Sequence, residues 1–135
     1  MKNPSNERIK EIFQKSKTIA VVGLSDNPER TSYMIAEAMQ LAGYEIIPVN
    51  PTVNEVLGKK AFASLKDINK HVDVVNVFRR SEYLPGIAEE TVAIGAKVFW
   101  AQLGVENEDA YQYLVDHDVT TIMDRCIKVE HAKFK

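Results

Sequence analysis

One cysteine, one tryptophan and no apolar run long enough to cross a bilayer are the first features of this 135-residue chain. A lone cysteine, Cys126, permits no internal disulfide and cannot build a four-cysteine metal cluster, so a reducing, cytoplasmic location is the default expectation. The opening residues, MKNPSNERIKEIF, lack the continuous apolar segment of a signal peptide. No later segment approaches the roughly 20 apolar residues that a membrane span needs. An excess of one charge is also missing. Seventeen Lys and Arg against 19 Asp and Glu leave a net charge of -2, which gives no electrostatic case for nucleic acid or an anionic membrane as partner. A local basic patch can still hold a small anion. Low-complexity stretches and long linkers are absent as well.

What is present is the composition of an ordinary soluble fold, 45% hydrophobic and 27% charged. The length has room for one domain that buries roughly two thirds of its unfolded surface. The expectation is a single domain over 1–135, with 1–17 as a flanking helical segment.

The organising stretch is TIAVVGLSDNPERTS, residues 18–32. Ile19 to Val22 is apolar without alternation, as expected of a strand buried on both faces of a parallel sheet. Gly23 closes it, Asn27 and Pro28 mark a turn, and Thr31 or Ser32 can cap a helix whose face is Ile35, Ala38, Met39 and Ala42.

The same rhythm continues along the chain. Residues 5–16 read as a leading helix with the seam Ile9, Ile12 and Phe13. YEIIPV at 44–49 supplies a second strand, in which Pro48 must sit near the strand end or beside a gap in the neighbouring strand. Residues 50–58 read as a connection, 59–63 as a very short third strand, and SLKDI as a turn or helix. VDVVNVF at 72–78 gives a fourth strand and 81–94 a helix. AKVFW at 96–100 gives a fifth strand, 107–117 a further helix and VTTIM at 119–123 a sixth strand. RCIKVEHAKF is either a final helix or an extended tail. Strands alternating with helices predict a Rossmann-like, doubly wound α/β fold with a mostly parallel sheet.

In such a sheet a ligand sits beyond the carboxyl ends of the strands, near the topological switch. Four polar turns fall there: 23–32, 50–52, 78–82 and 101–104. The amino end of the helix that follows the first turn favours a phosphate or pyrophosphate. Gly23 allows close backbone approach, while Ser25, Arg30 and Ser32 offer donors, with Arg79 facing them across the crevice. Adjacent side chains point in different directions, which favours Arg79 over Arg80. Each of these residues also has a purely structural reading: tight turn, local hydrogen bond, helix cap or ion pair.

The dinucleotide fingerprint is incomplete. Ser25 and Pro28 occupy its second and third glycine positions, and Asn50 stands where an acidic residue would hold the ribose of NAD. Residues suited to a reaction are equally sparse. His71, His117 and His131 share no metal-ligand spacing. Glu106, Glu108 and Asp109 suit a helix start. Trp100 and Gln102 border the crevice or belong to the core, Asp124 and Arg125 suit a structural pair, and Cys126 reads as a small packed residue or as a thiol able to form a mixed disulfide.

GLSDNPERTS, GYEIIPVNP, VDVVNVFRRSE, GAKVFWAQLGVENEDA and MDRC together resemble the stand-alone CoA-binding proteins, whose domain is related to the amino-terminal domain of the succinyl-CoA synthetase alpha subunit. The resemblance runs from about Thr18 to Phe134. It implies a Rossmann-like domain that binds coenzyme A through Gly23, Leu24, Ser25, Asn27, Arg30 and Ser32 in the first loop. Asn50 and Pro51 after the second strand and Phe78 and Arg79 after the fourth complete the implied set. It implies no catalyst, because the phosphorylated histidine of the synthetase lies in a further domain that these motifs do not cover. The main expectation is therefore a CoA or acyl-CoA binding protein without a catalytic or metal centre. A small NAD(P)- or other nucleotide-dependent enzyme and a protein-interaction scaffold with a vestigial pocket are the alternatives, and a homodimer is only a base-rate possibility for assembly.

Overall fold

The computed structural model describes residues 1–134. Helix α1 spans Asn6–Lys15, capped by Ser5, whose hydroxyl accepts the Arg8 N–H. Strand β1 (Thr18–Val22) leads into helix α2 (Thr31–Leu41) and strand β2 (Glu45–Val49). A small hairpin, β3 (Glu55–Val56) and β4 (Lys59–Lys60), precedes strand β5 (Val74–Val77). Helix α3 (Leu84–Ala93), strand β6 (Val98–Ala101), helix α4 (Glu108–Asp116), strand β7 (Thr120–Ile122) and helix α5 (Ile127–Ala132) complete the chain.

Five strands form one parallel sheet in the order β2-β1-β5-β6-β7. The chain moves outward from β1 to β2 and then crosses back to β5 on the other side of β1. The loops leaving β1 and β5 therefore part company at their carboxyl ends, which makes this the switch point. Apolar side chains cover both faces of the sheet, as the unbroken apolar run of β1 requires, and β5 sets the buried polar Asn76 among its valines. One face packs Ala20, Val22, Ile47, Val75 and Phe99 against Leu84 and Ala88 of α3 and Leu114 of α4. The other packs Ile19, Val21, Ile46 and Trp100 against residues of α1, α2 and α5, including Ile12, Phe13, Ile35 and Ile127. Among the described residues no helix is long and apolar enough to cross a membrane.

The structure departs from the sequence expectation in the third strand. In place of a strand over 59–63, residues 55–60 form the hairpin, and Phe62 alone bridges the outer edge of β2 opposite Val49. This bridge explains Pro48. Its carbonyl accepts the Phe62 N–H at 2.9 Å on the outer edge. The N–H and C=O of a strand residue point the same way, so the donor that proline lacks faces outward and the pairing of β2 with β1 is intact. The terminal segment is a helix, because Ile127 and Glu130 turn inward while Lys128 and Val129 stay outside.

Candidate functional site

The crevice at the strand ends is organised by Gly23, which lies at φ +86°. A Cβ there would stand 2.9 Å from the Phe78 carbonyl oxygen and 3.0 Å from Arg79 Cδ. Glycine is thus required by the loop after β5, which lies against it, and this close approach holds the ends of β1 and β5 together.

Several polar residues expected to meet a ligand are tied into the loop itself. Ser32, buried in the first turn of α2, accepts the Ser25 N–H at 3.0 Å. Ser25 Oγ accepts the Asn27 N–H, and Asn27 Oδ1 accepts the Glu29 N–H, each at 3.0 Å. Asn50 donates from Nδ2 to the Leu24 carbonyl at 3.0 Å, and its Oδ1 accepts the N–H and hydroxyl of Thr52. Leu24 is fully buried, so its part in the site is to anchor this loop. These bonds hold the 23–32 turn in one shape before anything binds.

That shape leaves the start of α2 open. Arg30 occupies its N-cap position with no side-chain cap bond, and no acidic residue lies in the first turn. By contrast, α1 and α4 are capped by Ser5 and Asn107 and carry acidic residues in their first turns. The amides at an uncapped start of a helix of this length, with the dipole behind them, attract a negative group.

Two cavities flank the rim, and Arg79 lines both. The smaller, about 260 Å³, opens on the α3 side between Val22, Val49, Pro51, Ser64, Tyr83 and Glu90. The larger, about 550 Å³, opens on the α2 side between Thr31, Ile35, Phe78, Leu103, Val105 and Cys126. The guanidinium carbon of Arg79 sits 4.5 Å from the centre of the Tyr83 ring, a cation–π contact that steers the side chain along the rim. Arg80 also borders the larger cavity, with Glu82 4.0 Å away.

Of the ten residues expected at the site, Arg79, Pro51 and Phe78 line a cavity, and Arg30 stands exposed at the open helix end. Gly23, Leu24, Ser25, Asn27, Ser32 and Asn50 build the loops around them. Sequence reading missed Tyr83, Ser64 and Glu90. The one signal available was the four-residue step from Arg79 to Tyr83 across a short turn, here a 3₁₀ segment at Ser81–Tyr83.

The remaining candidates have structural partners. Trp100 is fully buried and donates from Nε1 to the Arg125 carbonyl at 2.8 Å, so it belongs to the core. Gln102 lines the larger cavity but turns its amide inward, bonding Asn76 and accepting the Ile127 N–H. Asp124 accepts the Gly104 N–H at 2.6 Å and so fixes the loop after β6, while Arg125 bonds the Asp124 carbonyl rather than its carboxylate. His71 pairs with Asp73 at 2.8 Å, His117 meets the Tyr113 carbonyl at 2.7 Å, and His131 packs edge-on against Phe13 and Tyr44. Glu108 and Asp109 lie in the first turn of α4. Among the described residues no group of three or more His, Cys, Asp or Glu side chains could hold a metal ion.

Three side chains with displaced pKa values stand at the other end of the sheet, before the strands. Burial pushes the Tyr44 hydroxyl up. The hydrogen bond from Lys70 holds Glu45 below the usual carboxylate range. Burial pushes Asp73 up, but the amides of Lys17 and Thr18 together with His71 outweigh it and leave the carboxyl lowered.

A switch-point crevice with a tight glycine turn, an open helix start and a positive rim defines a Rossmann-like domain suited to a phosphate-bearing ligand. Sequence comparison narrows the class. The CoA binding domain family matches residues 17–132, and the chain belongs to that family. It is 64% identical over 135 residues to the uncharacterized protein YneT of Bacillus subtilis (strain 168), with both chains covered in full. Over 112 residues it is 30% identical to the ADP-forming acetate–CoA ligase I subunit alpha of Pyrococcus furiosus, covering 74% of this chain and 24% of that subunit. A hypothetical protein from Pyrococcus horikoshii OT3 has the same fold, with a TM-score of 0.95 at 31% identity over 99% of this chain and 96% of the other.

Proposed function

We propose that this chain binds coenzyme A, free or acylated, across the carboxyl rim of the sheet and acts as a binding module. The observation that carries the reading is the meeting of the open start of α2 with Arg79, which reaches cavities on both sides of the rim. CoA carries a pyrophosphate and a ribose phosphate, so it needs more than one cationic or amide-rich contact along an extended path. Thr31, Ser32 and Tyr33 amides with Arg30 suit one phosphate group, and Arg79 suits another. The smaller cavity suits the adenine: Pro51 and Val49 give it apolar walls, while Ser64 and Glu90 give polar edges. Ser64 and Glu90 already share a 2.9 Å hydrogen bond, which sets their positions.

NAD(P) fits this rim less well. Asn50, at the position where an acid would hold the adenosine ribose, spends both ends of its amide on Leu24 and Thr52. Side-by-side calorimetry with CoA, dephospho-CoA, NAD and NADP at fixed salt tests the reading. Binding of CoA, weakened when its 3′-phosphate is removed, is the expected result. No binding of CoA at millimolar concentration would refute it, and equal or tighter binding of NAD would favour the nucleotide-enzyme alternative.

A further inference from the structure

We propose that the larger cavity, on the α2 side of the rim, receives the acyl group of an acyl-CoA, with unbranched apolar acyl chains as its ligand class. The inference rests on the CoA reading above and adds which part of the molecule the second cavity selects.

The walls argue for hydrocarbon. Most of the lining surface is apolar, and Ile35, Phe78, Leu103, Val105 and Cys126 are its apolar side chains. The buried amide there, Gln102, is committed to Asn76 and to the Ile127 N–H, and Ser81 Oγ accepts the Glu106 N–H. Thr31, Arg79 and Arg80, the other polar side chains of the lining, belong to the phosphate-binding rim proposed above, which leaves the apolar wall for the acyl end. No carboxylate lines the cavity, and Arg79 and Arg80 stand at its edge, so a phosphate-bearing carrier can approach without repulsion. Arg79 belongs to both cavities, which lie on opposite faces of the sheet, so one ligand held at the rim can place its two ends in them. The larger holds about 550 Å³ against about 260 Å³ for the smaller, room for more than the narrow pantetheine arm. Leu103 is 71% exposed, an apolar edge that an acyl chain would cover.

Each methylene taken from water into such a wall is expected to raise affinity by about two- to fourfold. Calorimetry on the full chain with CoA, acetyl-CoA, butyryl-CoA and succinyl-CoA should show affinity rising from acetyl to butyryl. Succinyl-CoA, of similar length but charged, should bind no better than acetyl-CoA. Leu103→Ser, at an exposed position that tolerates the change, should lower the butyryl-to-CoA affinity ratio at least twofold. Alkylation of Cys126 by iodoacetamide gives a readout independent of affinity: at saturating ligand, butyryl-CoA should protect Cys126 more than CoA does. Tight CoA binding with no gain for the acylated forms, or equal protection of Cys126, would overturn the inference and leave the CoA reading standing. A preference for succinyl-CoA would overturn the apolar assignment, and failure of CoA itself to bind would remove both.

Discussion

Replacing Gly23 with alanine probes the contact that holds the two halves of the crevice together. At φ +86° an L-residue is strained by about 1–2 kcal/mol. The new methyl would also lie 2.9 Å from the Phe78 carbonyl and 3.0 Å from Arg79 Cδ. The arginine stem can swing aside, but the carbonyl belongs to a backbone pinned by the Phe78 N–H bond to Val22 at 2.9 Å. Opening β1 from β5 at that point has the cost of overpacking, about 1–3 kcal/mol. Alanine recovers about 0.4–1 kcal/mol by restricting the unfolded chain. The net expectation is a loss of about 2–4 kcal/mol, a large share of the roughly 5–15 kcal/mol that a domain has. Urea unfolding with an unchanged m-value would measure it. A loss below about 1 kcal/mol would refute the packing account of Gly23 and return this residue to the role of a ligand-facing glycine.

Arg79→Ala should weaken CoA binding roughly 10- to 100-fold, the worth of about 1.5–3 kcal/mol for a hydrogen bond to a charged group, with Arg79→Lys recovering part of it. Unchanged affinity in a folded variant would show that another cation holds the phosphate. Ser32→Ala leaves the Ser25 N–H without its acceptor and should cost about 1–3 kcal/mol in chemical unfolding. Asp73→Ala should cost about 1–2 kcal/mol at pH 7, because the amides of Lys17 and Thr18 lose a carboxylate acceptor. The folded carboxyl is lowered below its unfolded value, so its contribution is complete above the ordinary carboxylate pKa and fades as pH falls through the folded one. The gap between wild type and variant should therefore close in acid; a gap that widened instead would contradict the assignment.

The architecture was legible wherever hydrophobic pattern decides it. The unbroken apolar run at 19–22 marks a strand buried on both faces, the valines of 72–78 mark another strand, and the helix seam Ile9, Ile12 and Phe13 is buried as its spacing predicts. The hairpin at 55–60 was not legible, because its strands are two residues long and expose Glu55, Lys59 and Lys60 with no periodicity to read. Pro48 demands a place near a strand end or beside a gap and stands next to the last residue of β2, but only the fold shows that Phe62 pairs along the outer edge there. In the site, residue type gave the neighbourhood and not the direction. Ser25, Asn27 and Asn50 have side chains able to bond a ligand or the loop, and in the folded chain they turn to the loop. Tyr83 lies four residues after Arg79, a step that places the ring on the guanidinium only through the 3₁₀ turn at Ser81–Tyr83.

Backbone amide NMR shifts on titration with CoA would locate the ligand directly. The account predicts that the largest changes cluster at Gly23, Thr31 to Tyr33, Asn50 to Thr52 and Phe78 to Ser81. Shifts confined to the opposite end of the sheet, around Lys17, Asp73 and Lys97, or no shifts at millimolar CoA, would contradict it.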